Sequence, residues 1–302
     1  MDKITNESFK IKKENFIKNS NNTNTLILTD FDYTISKRFD QITNEQLYST
    51  YDFIDQSNLG KTINLTERNA ELRKKYLPYE TDVSLDLNER ISMIKEWFIK
   101  ALYLYMECKF SYNDLEIMIE EGLNKKNKFS FKDYFIEYFE KLIQLGFPII
   151  IMSGGIKEII DILLKKYIKN YEELKNNNKI IILANYFYFN KESGIVENFD
   201  LENLIFTFNK SISIKNLIDS KFKDIQYIIT LGDHLNDIDM VKDLNISKEN
   251  ILSIGFINTK SNINEEDKKN LISLYEKVYD VNILNDSYFD IIELLNLIYF
   301  NK

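Results

Sequence analysis

An apolar run, Thr25-Leu26-Ile27-Leu28-Thr29, that ends in Asp30-Phe31-Asp32 constrains this chain more than any other stretch. Leu26, Ile27 and Leu28 read as a buried strand, and a strand that emerges into two carboxylates delivers charge to the sheet edge where ligands bind in open α/β folds. Side chains alternate along an extended segment, so Asp30 and Asp32 are expected on one side of it. Carboxylates this close repel unless a cation, a shared proton or a division of labour accommodates them, which asks for a metal site or an acid/base pair. Alone, Asp-x-Asp after a strand is also ordinary turn sequence, so the choice depends on what the rest of the chain brings to that edge.

The 302 residues leave room for one large domain or for a core plus a cap. A chain 44% apolar and 28% charged is ordinary for a globular protein. The net charge of −8 argues against a nucleic-acid polymer as partner and leaves room for a small anion held locally. The single cysteine, Cys108, excludes an intramolecular disulfide and a thiolate-rich zinc site; it reads as a packing residue in a reducing compartment. The first two dozen residues are polar and lack the apolar segment of a signal peptide. The runs from Phe147 to Met152 and from Ile180 to Ala184 are too short to span a bilayer. A cytoplasmic enzyme, monomeric and without membrane contact, is the expectation.

Between Phe39 and Glu140 the chain lacks strong strand runs. Ile91, Ile94, Trp97, Phe98, Ala101, Leu102 and Tyr105 recur three and four apart and predict one long helix with an apolar stripe. Further helices are expected from Asp114 to Leu123 and from Phe131 to Leu145, the latter ended by Gly146 and Pro148. From Phe147 onward short apolar strands alternate with helices: Pro148 to Met152, a helix from Ile156 to Tyr167, then strands Ile180 to Ala184, Tyr227 to Leu231 and Ile251 to Phe256. Asn185 to Phe199 reads as a hairpin turning near Lys191 to Gly194. This rhythm predicts an α/β fold with a mostly parallel sheet covered by helices on both faces, interrupted after its first strand by a helical insertion of roughly 100 residues. The expected division is a polar N-terminal extension over 1–24, a catalytic core over 25–38 and 141–302, and a helical cap over 39–140.

Four separated elements should converge at the carboxyl edge of that sheet, each expected to follow a parallel strand. Asp30-Phe31-Asp32-Tyr33-Thr34 is the first. Ser153-Gly154-Gly155, between a strand and a helix, offers a hydroxyl and backbone N–H groups that can cradle a phosphate. Lys210, within Phe208-Asn209-Lys210-Ser211, can supply a point charge to a phosphoryl oxygen and to a carboxylate nucleophile. Gly232-Asp233-His234-Leu235-Asn236-Asp237 adds carboxylates that could complete an oxygen-ligand magnesium site. His234, the single histidine, reads as a loop residue, because the aspartates already fill the roles that would tempt one to it.

In these residues, and in their order, the chain resembles the haloacid dehalogenase superfamily of aspartate-dependent phosphotransferases. It is similar in particular to the cytosolic pyrimidine 5′-nucleotidases (cytosolic 5′-nucleotidase III), through Thr29 to Ser36, Tyr76-Leu77-Pro78-Tyr79-Glu80, Glu96-Trp97-Phe98, Ser153 to Ile156, Phe208-Asn209-Lys210 and Leu231-Gly232-Asp233. The resemblance implies a Rossmann-like haloacid dehalogenase core with a helical cap that closes over the nucleotide. It implies magnesium-dependent hydrolysis of nucleoside 5′-monophosphates, UMP and CMP first. Asp30 would be the nucleophile that becomes an aspartyl-phosphate, and Asp32 the acid and then the base. Magnesium would be held by Asp30, the backbone carbonyl of Asp32 and Asp233, with Asp237 as ligand or supporting acceptor. Ser153, Gly154, Gly155 and Lys210 would bind the phosphoryl group, with Thr34 supporting the loop or the phosphate.

In the insertion, Glu80 stands where the resemblance places a carboxylate that accepts hydrogen bonds from the base, and Tyr51, Tyr76 and Trp97 are the candidate stacking platforms. Trp97 also fits as a core residue of its stripe, and Glu80 as one half of an ordinary salt bridge. Ala101 departs from the small hydroxyl-bearing residue expected there. The alternatives are another substrate of the same chemistry (a purine or 7-methylguanosine monophosphate), phosphate transfer to a second nucleoside, or a nucleotide-binding protein without turnover.

Overall fold

The computed structural model describes residues 3–82, 84–125 and 127–300. Strand β1 (Lys3–Thr5) and helix α1 (Ser8–Asn19) precede β2 (Thr25–Thr29). The insertion after β2 carries two short helices, α2 (Asp52–Asp55) and α3 (Asn58–Thr62), and the longer α4 (Leu65–Thr81), α5 (Leu87–Glu107) and α6 (Tyr112–Glu120), the last running into a π-helical turn at Glu121–Lys125. Then follow α7 (Phe135–Leu145), β3 (Ile149–Ile156), α8 (Lys157–Tyr167), α9 (Tyr171–Asn176), β4 (Ile180–Asn185), β5 (Phe187–Phe189) and β6 (Val196–Phe199). The chain closes with α10 (Lys210–Lys221), β7 (Tyr227–Gly232), a 3₁₀ turn at Leu235–Val241, β8 (Ile251–Phe256), α11 (Glu265–Glu276), β9 (Val281–Ile283) and α12 (Phe289–Tyr299).

Seven strands form one sheet in the order β1-β9-β8-β7-β2-β3-β4, parallel throughout except where β1 runs against β9. Every residue of β2, β7 and β8 is buried, as expected of strands with helices on both faces. Because β2 lies between β7 and β3, the segments after all three emerge side by side at one edge. The hairpin β5–β6 pairs antiparallel apart from the main sheet.

Local chemistry accounts for the helix ends. The Asp86 carboxylate caps α5 by accepting from the backbone N–H groups of Asn88 and Glu89, and Ser111 with Asp114 forms a reciprocal capping box at α6. Gly146, at φ 79°, ends α7 in a left-handed conformation that costs glycine little.

Three expectations are corrected here. Residues 1–24 are not merely an extension: Lys3–Thr5 pairs with Val281–Ile283 at the sheet edge, and α1 buries Phe16 completely. The helix expected from Phe131 begins at Phe135, because Tyr134 sits at φ 61° and interrupts it. That helix packs on α12, so the stretch up to residue 140 does not belong wholly to the insertion, which follows the second strand of the chain rather than the first.

Candidate active site

Strand β2 ends at Thr29, and the Asp30 N–H still donates to the Leu231 carbonyl at 3.0 Å, which carries the first carboxylate to the sheet edge. The backbone then turns, with Tyr33 at φ 66°, so the extended geometry that would put Asp30 and Asp32 on one side does not continue to Asp32. Asp30 and Asp32 meet different partners.

Asp30 accepts from the buried Lys210 ammonium at 2.8 Å, and the same Nζ lies 2.8 Å from Asp237 Oδ1. Lys210 is the first residue of α10, reached through the loop after β6; it does not follow a strand as expected. Asp233 emerges from β7, and Asp237 reaches back from the 3₁₀ turn to accept the N–H groups of Asp233 (3.1 Å) and His234 (3.0 Å). Carboxylate oxygens of Asp30, Asp233 and Asp237 all lie within 4.8 Å of one another. Burial pushes the Asp30 carboxyl well up against the opposing pull of Lys210, and burial with the neighbouring Asp237 raises Asp233. Burial also works against the charged form of Asp237, but the Lys210 ammonium and the His234 N–H outweigh it and hold that carboxyl below its ordinary range. His234 itself is exposed and its Nδ1 accepts from the Asn236 N–H at 3.3 Å, capping the turn as a loop residue does.

Asp32 is held by Thr50, whose backbone N–H and hydroxyl donate to Oδ1 and Oδ2 at 2.8 Å each. Burial pushes the Asp32 carboxyl up to about 7, with the two Thr50 bonds limiting the rise. Across from it, β3 runs on through an irregular end: Gly155 N–H donates to the Ser153 hydroxyl at 2.9 Å, and α8 begins only at Lys157. A Cβ on Gly155 would stand 2.1 Å from Thr50 Oγ1, 2.8 Å from Asp32 Oδ2 and 3.0 Å from Ser153 Oγ, so only glycine lets these groups meet. The Gly154 carbonyl accepts from Tyr51 Oη (2.7 Å) and Asn185 Nδ2 (2.8 Å). Thr34 is fully buried, and its hydroxyl donates to Asp233 Oδ1 at 3.4 Å, which puts it beneath the carboxylates.

A cavity of about 570 Å³ opens beside Asp32 and extends under the inserted helices. Tyr51, Glu80, Trp97, Phe98 and Ala101 line it, and Tyr51 stacks on Tyr105 with ring centroids 5.2 Å apart. Glu80 Oε1 accepts from the Thr207 hydroxyl at 2.6 Å, and Arg90 donates to the Tyr79 and Glu80 carbonyls while lying over the Phe208 ring. These contacts tie the end of α4 to the loop that leads into Lys210. Tyr76 is a correction: it is wholly buried behind Trp97, with its hydroxyl on Glu96 at 2.6 Å, and it does not face the cavity. Asn69, Ala70, Arg73, Leu77 and Glu80 form the cavity face of α4, and Tyr76 lies one step, about 100°, around the helix from Leu77.

Sequence reasoning did not single out Thr50, Thr207 or Asn258. Thr50 carries no local signal, since its role depends on a fold-back of the chain onto Asp32. Asn258 was within reach: it follows the apolar run Ile251–Phe256, the same placement that pointed to Asp30 and Asp233.

Residues 33–299 match the sequence model of the family described as pyrimidine 5′-nucleotidase (UMPH-1). A putative cytosolic 5′-nucleotidase 3 from Caenorhabditis elegans is 28% identical over 266 residues, covering 87% of this chain and 65%, just under two-thirds, of the relative. A 7-methylguanosine phosphate-specific 5′-nucleotidase A from Xenopus laevis is 30% identical over 277 residues, covering 88% of this chain and 84% of the relative. Among solved structures, that of cytosolic 5′-nucleotidase IIIB bound to cytidine superposes with a TM-score of 0.73 at 21% identity, over 98% of this chain and 92% of that one. The fold is the haloacid dehalogenase arrangement that the sequence resemblance implied.

Proposed function

The chain belongs to the pyrimidine 5′-nucleotidase family, a family of hydrolases, and from that premise we propose that it hydrolyses nucleoside 5′-monophosphates through an aspartyl-phosphate on Asp30. The observation that carries the reading is the separation of the two aspartates: Asp30 is paired with the Lys210 ammonium, while Asp32, at the cavity edge, is held by Thr50 with its carboxyl pushed up to about 7. Two carboxyls in such different settings can take opposite proton roles.

In the first step an Asp30 carboxylate oxygen attacks phosphorus, the bond from phosphorus to the nucleoside 5′-oxygen breaks, and Asp32 gives that oxygen its proton. In the second, Asp32 as carboxylate takes a proton from a water that attacks the same phosphorus, and the bond to Asp30 breaks to release orthophosphate. Lys210 steadies the ionised Asp30, and with Ser153 and the backbone around Gly154 and Gly155 it offsets charge on the phosphoryl oxygens.

The donor set of Asp30, Asp233 and Asp237 fits a hard divalent cation: it is all oxygen, and a single directly bonded ammonium leaves it with excess negative charge. Magnesium, held by these residues and the Asp32 carbonyl, would supply charge neutralisation at the transferring phosphoryl group.

The cavity beside Asp32 has the size and lining expected for a nucleoside, with Glu80 as acceptor and Trp97 and Tyr51 as aromatic surfaces. UMP and CMP are the first substrates we assign, in keeping with the family, and the cytoplasm is the setting, in keeping with the name of the nematode relative. Among the described residues no helix is long and apolar enough to cross a membrane. A second reading, 7-methylguanosine monophosphate, is favoured by the specificity in the name of the Xenopus relative and by a carboxylate near aromatic rings, which suits a cationic base. Phosphate release from UMP, CMP, AMP, GMP and 7-methyl-GMP, with magnesium and with chelator, tests both. Metal-dependent release from UMP and CMP supports the first reading, and release from 7-methyl-GMP alone replaces it with the second.

A further inference from the structure

Asn258 lies two residues beyond β8 and bonds to two separate parts of the catalytic edge. Its Nδ2 donates to the Tyr33 carbonyl at 2.8 Å and to Asp233 Oδ2 at 3.1 Å, while its Oδ1 accepts from Lys132 Nζ at 2.6 Å. The Lys132 side chain is 0% exposed; its ammonium also meets Asp286 Oδ1 at 2.6 Å and lies 4.8 Å from the centre of the Phe256 ring. An ammonium has donors only, so the amide of Asn258 must turn its oxygen to Lys132, and this turns its NH₂ to Asp233 and Tyr33.

The groups it reaches are the ones that most need a fixed position. Tyr33 holds the positive φ that turns the loop between Asp32 and Thr34, and Asp233 belongs to the carboxylate cluster. A buried ammonium is tolerated only where its bonds are satisfied, and here those bonds set the rotation of one amide.

We propose that Asn258, oriented by Lys132, is a positioning residue that holds the Asp233 carboxylate and the Tyr33 turn in register for a divalent cation. This rests on the reading of Asp30, Asp233 and Asp237 as the magnesium ligands. With Oδ2 held, the carboxylate has less rotational freedom to lose when a cation binds, which is how outer partners of a metal site strengthen it. Nothing in the reaction requires Asn258 or Lys132 to touch substrate.

Calorimetric titration of magnesium into the metal-stripped full chain, alongside melting temperature without metal, tests the role. Asn258→Ala is expected to weaken magnesium binding by roughly 10–100-fold, and to raise the magnesium concentration for half-maximal activity by more than it lowers kcat. A folded Asn258→Ala protein that binds magnesium as the wild type does overturns the proposal, whatever happens to its melting temperature. Should that variant fail to fold, the double variant Lys132→Met/Asp286→Asn removes the buried charge pair together; weakened magnesium binding supports the role and wild-type binding overturns it. A wild-type protein that binds no magnesium overturns the metal reading itself, an outcome distinct from unchanged affinity in the variants.

Discussion

Thr50 donates both its backbone N–H and its hydroxyl to the carboxylate of Asp32, at 2.8 Å each, from the start of the helical insertion. The residue assigned as acid and base therefore belongs to the sheet edge but is held by the insertion. The two parts of the fold meet on one side chain.

Thr50→Val removes the hydroxyl bond that favours the charged form, so the Asp32 carboxyl should rise above about 7. Asp32 must be a carboxylate to activate water, so the rate of aspartyl-phosphate breakdown should fall roughly fivefold at about pH 6, for a bond worth about 1 kcal/mol, and much less at about pH 8. A pH–rate profile decides it. Equal losses across the range would count against Asp32 as the base.

Glu80 and Thr207 give a test of base recognition that does not depend on the chemistry at phosphorus. Glu80→Gln should lower kcat/KM for the preferred nucleotide by roughly 10–100-fold, the scale of a lost charged hydrogen bond, and leave ribose 5-phosphate, which has no base, little affected. Thr207→Val, which frees Glu80 Oε1 from its bond at 2.6 Å, should shift the ratio between nucleotides more than the rate with ribose 5-phosphate. Parallel losses on both kinds of substrate would assign Glu80 to holding the insertion in place.

Away from the site, burial raises Glu158 to about 7, partly countered by the N–H of its own backbone and by that of Phe187, and its Oε2 has no partner among the described residues. A carboxyl whose folded value is raised favours the folded state below its ordinary range near 4.5, and that contribution is lost as pH rises to about 7. Glu158→Gln keeps an acceptor for the Phe187 N–H and removes the charge. It should therefore stabilise the protein by about 1–3 kcal/mol at about pH 8 and have little effect at about pH 5. Denaturant unfolding at the two pH values reads this directly, and an equal shift at both would contradict the burial argument.

The parts of the site legible in the sequence are those that a strand delivers. Asp30, Ser153 and Asp233 stand at the ends of apolar runs whose period and length mark them as buried parallel strands, and the structure aligns β7, β2 and β3 side by side. Asp237 and Lys210 were found through the motifs around them. Lys210 arrives by a helix start instead of a strand end, and only the fold shows its ammonium between two carboxylates. Strand β1 could not be read: Lys3-Ile4-Thr5 is short and polar, and what makes it a strand is pairing with residues near 282, at the far end of the sequence. Tyr76 failed for a geometric reason. Helix α4 has polar residues on most sides, so its composition did not reveal which face looks into the cavity, and a one-residue difference in position turns a platform into a core residue. Thr50 and Lys132 act through tertiary bonds to residues 18 and 126 positions away, a distance over which local pattern carries no information.

The central claim is that Asp30 carries the phosphoryl group. Rapid acid quench of the full chain with magnesium and 5′-phosphate-labelled UMP, or 7-methyl-GMP if that is the substrate, followed by peptide mapping, measures it directly. Labelled phosphate is expected on the peptide that contains Asp30 before steady state, and none on the protein in Asp30→Asn. Free phosphate formed in the first turnover, with no label on the protein at any time, would contradict it.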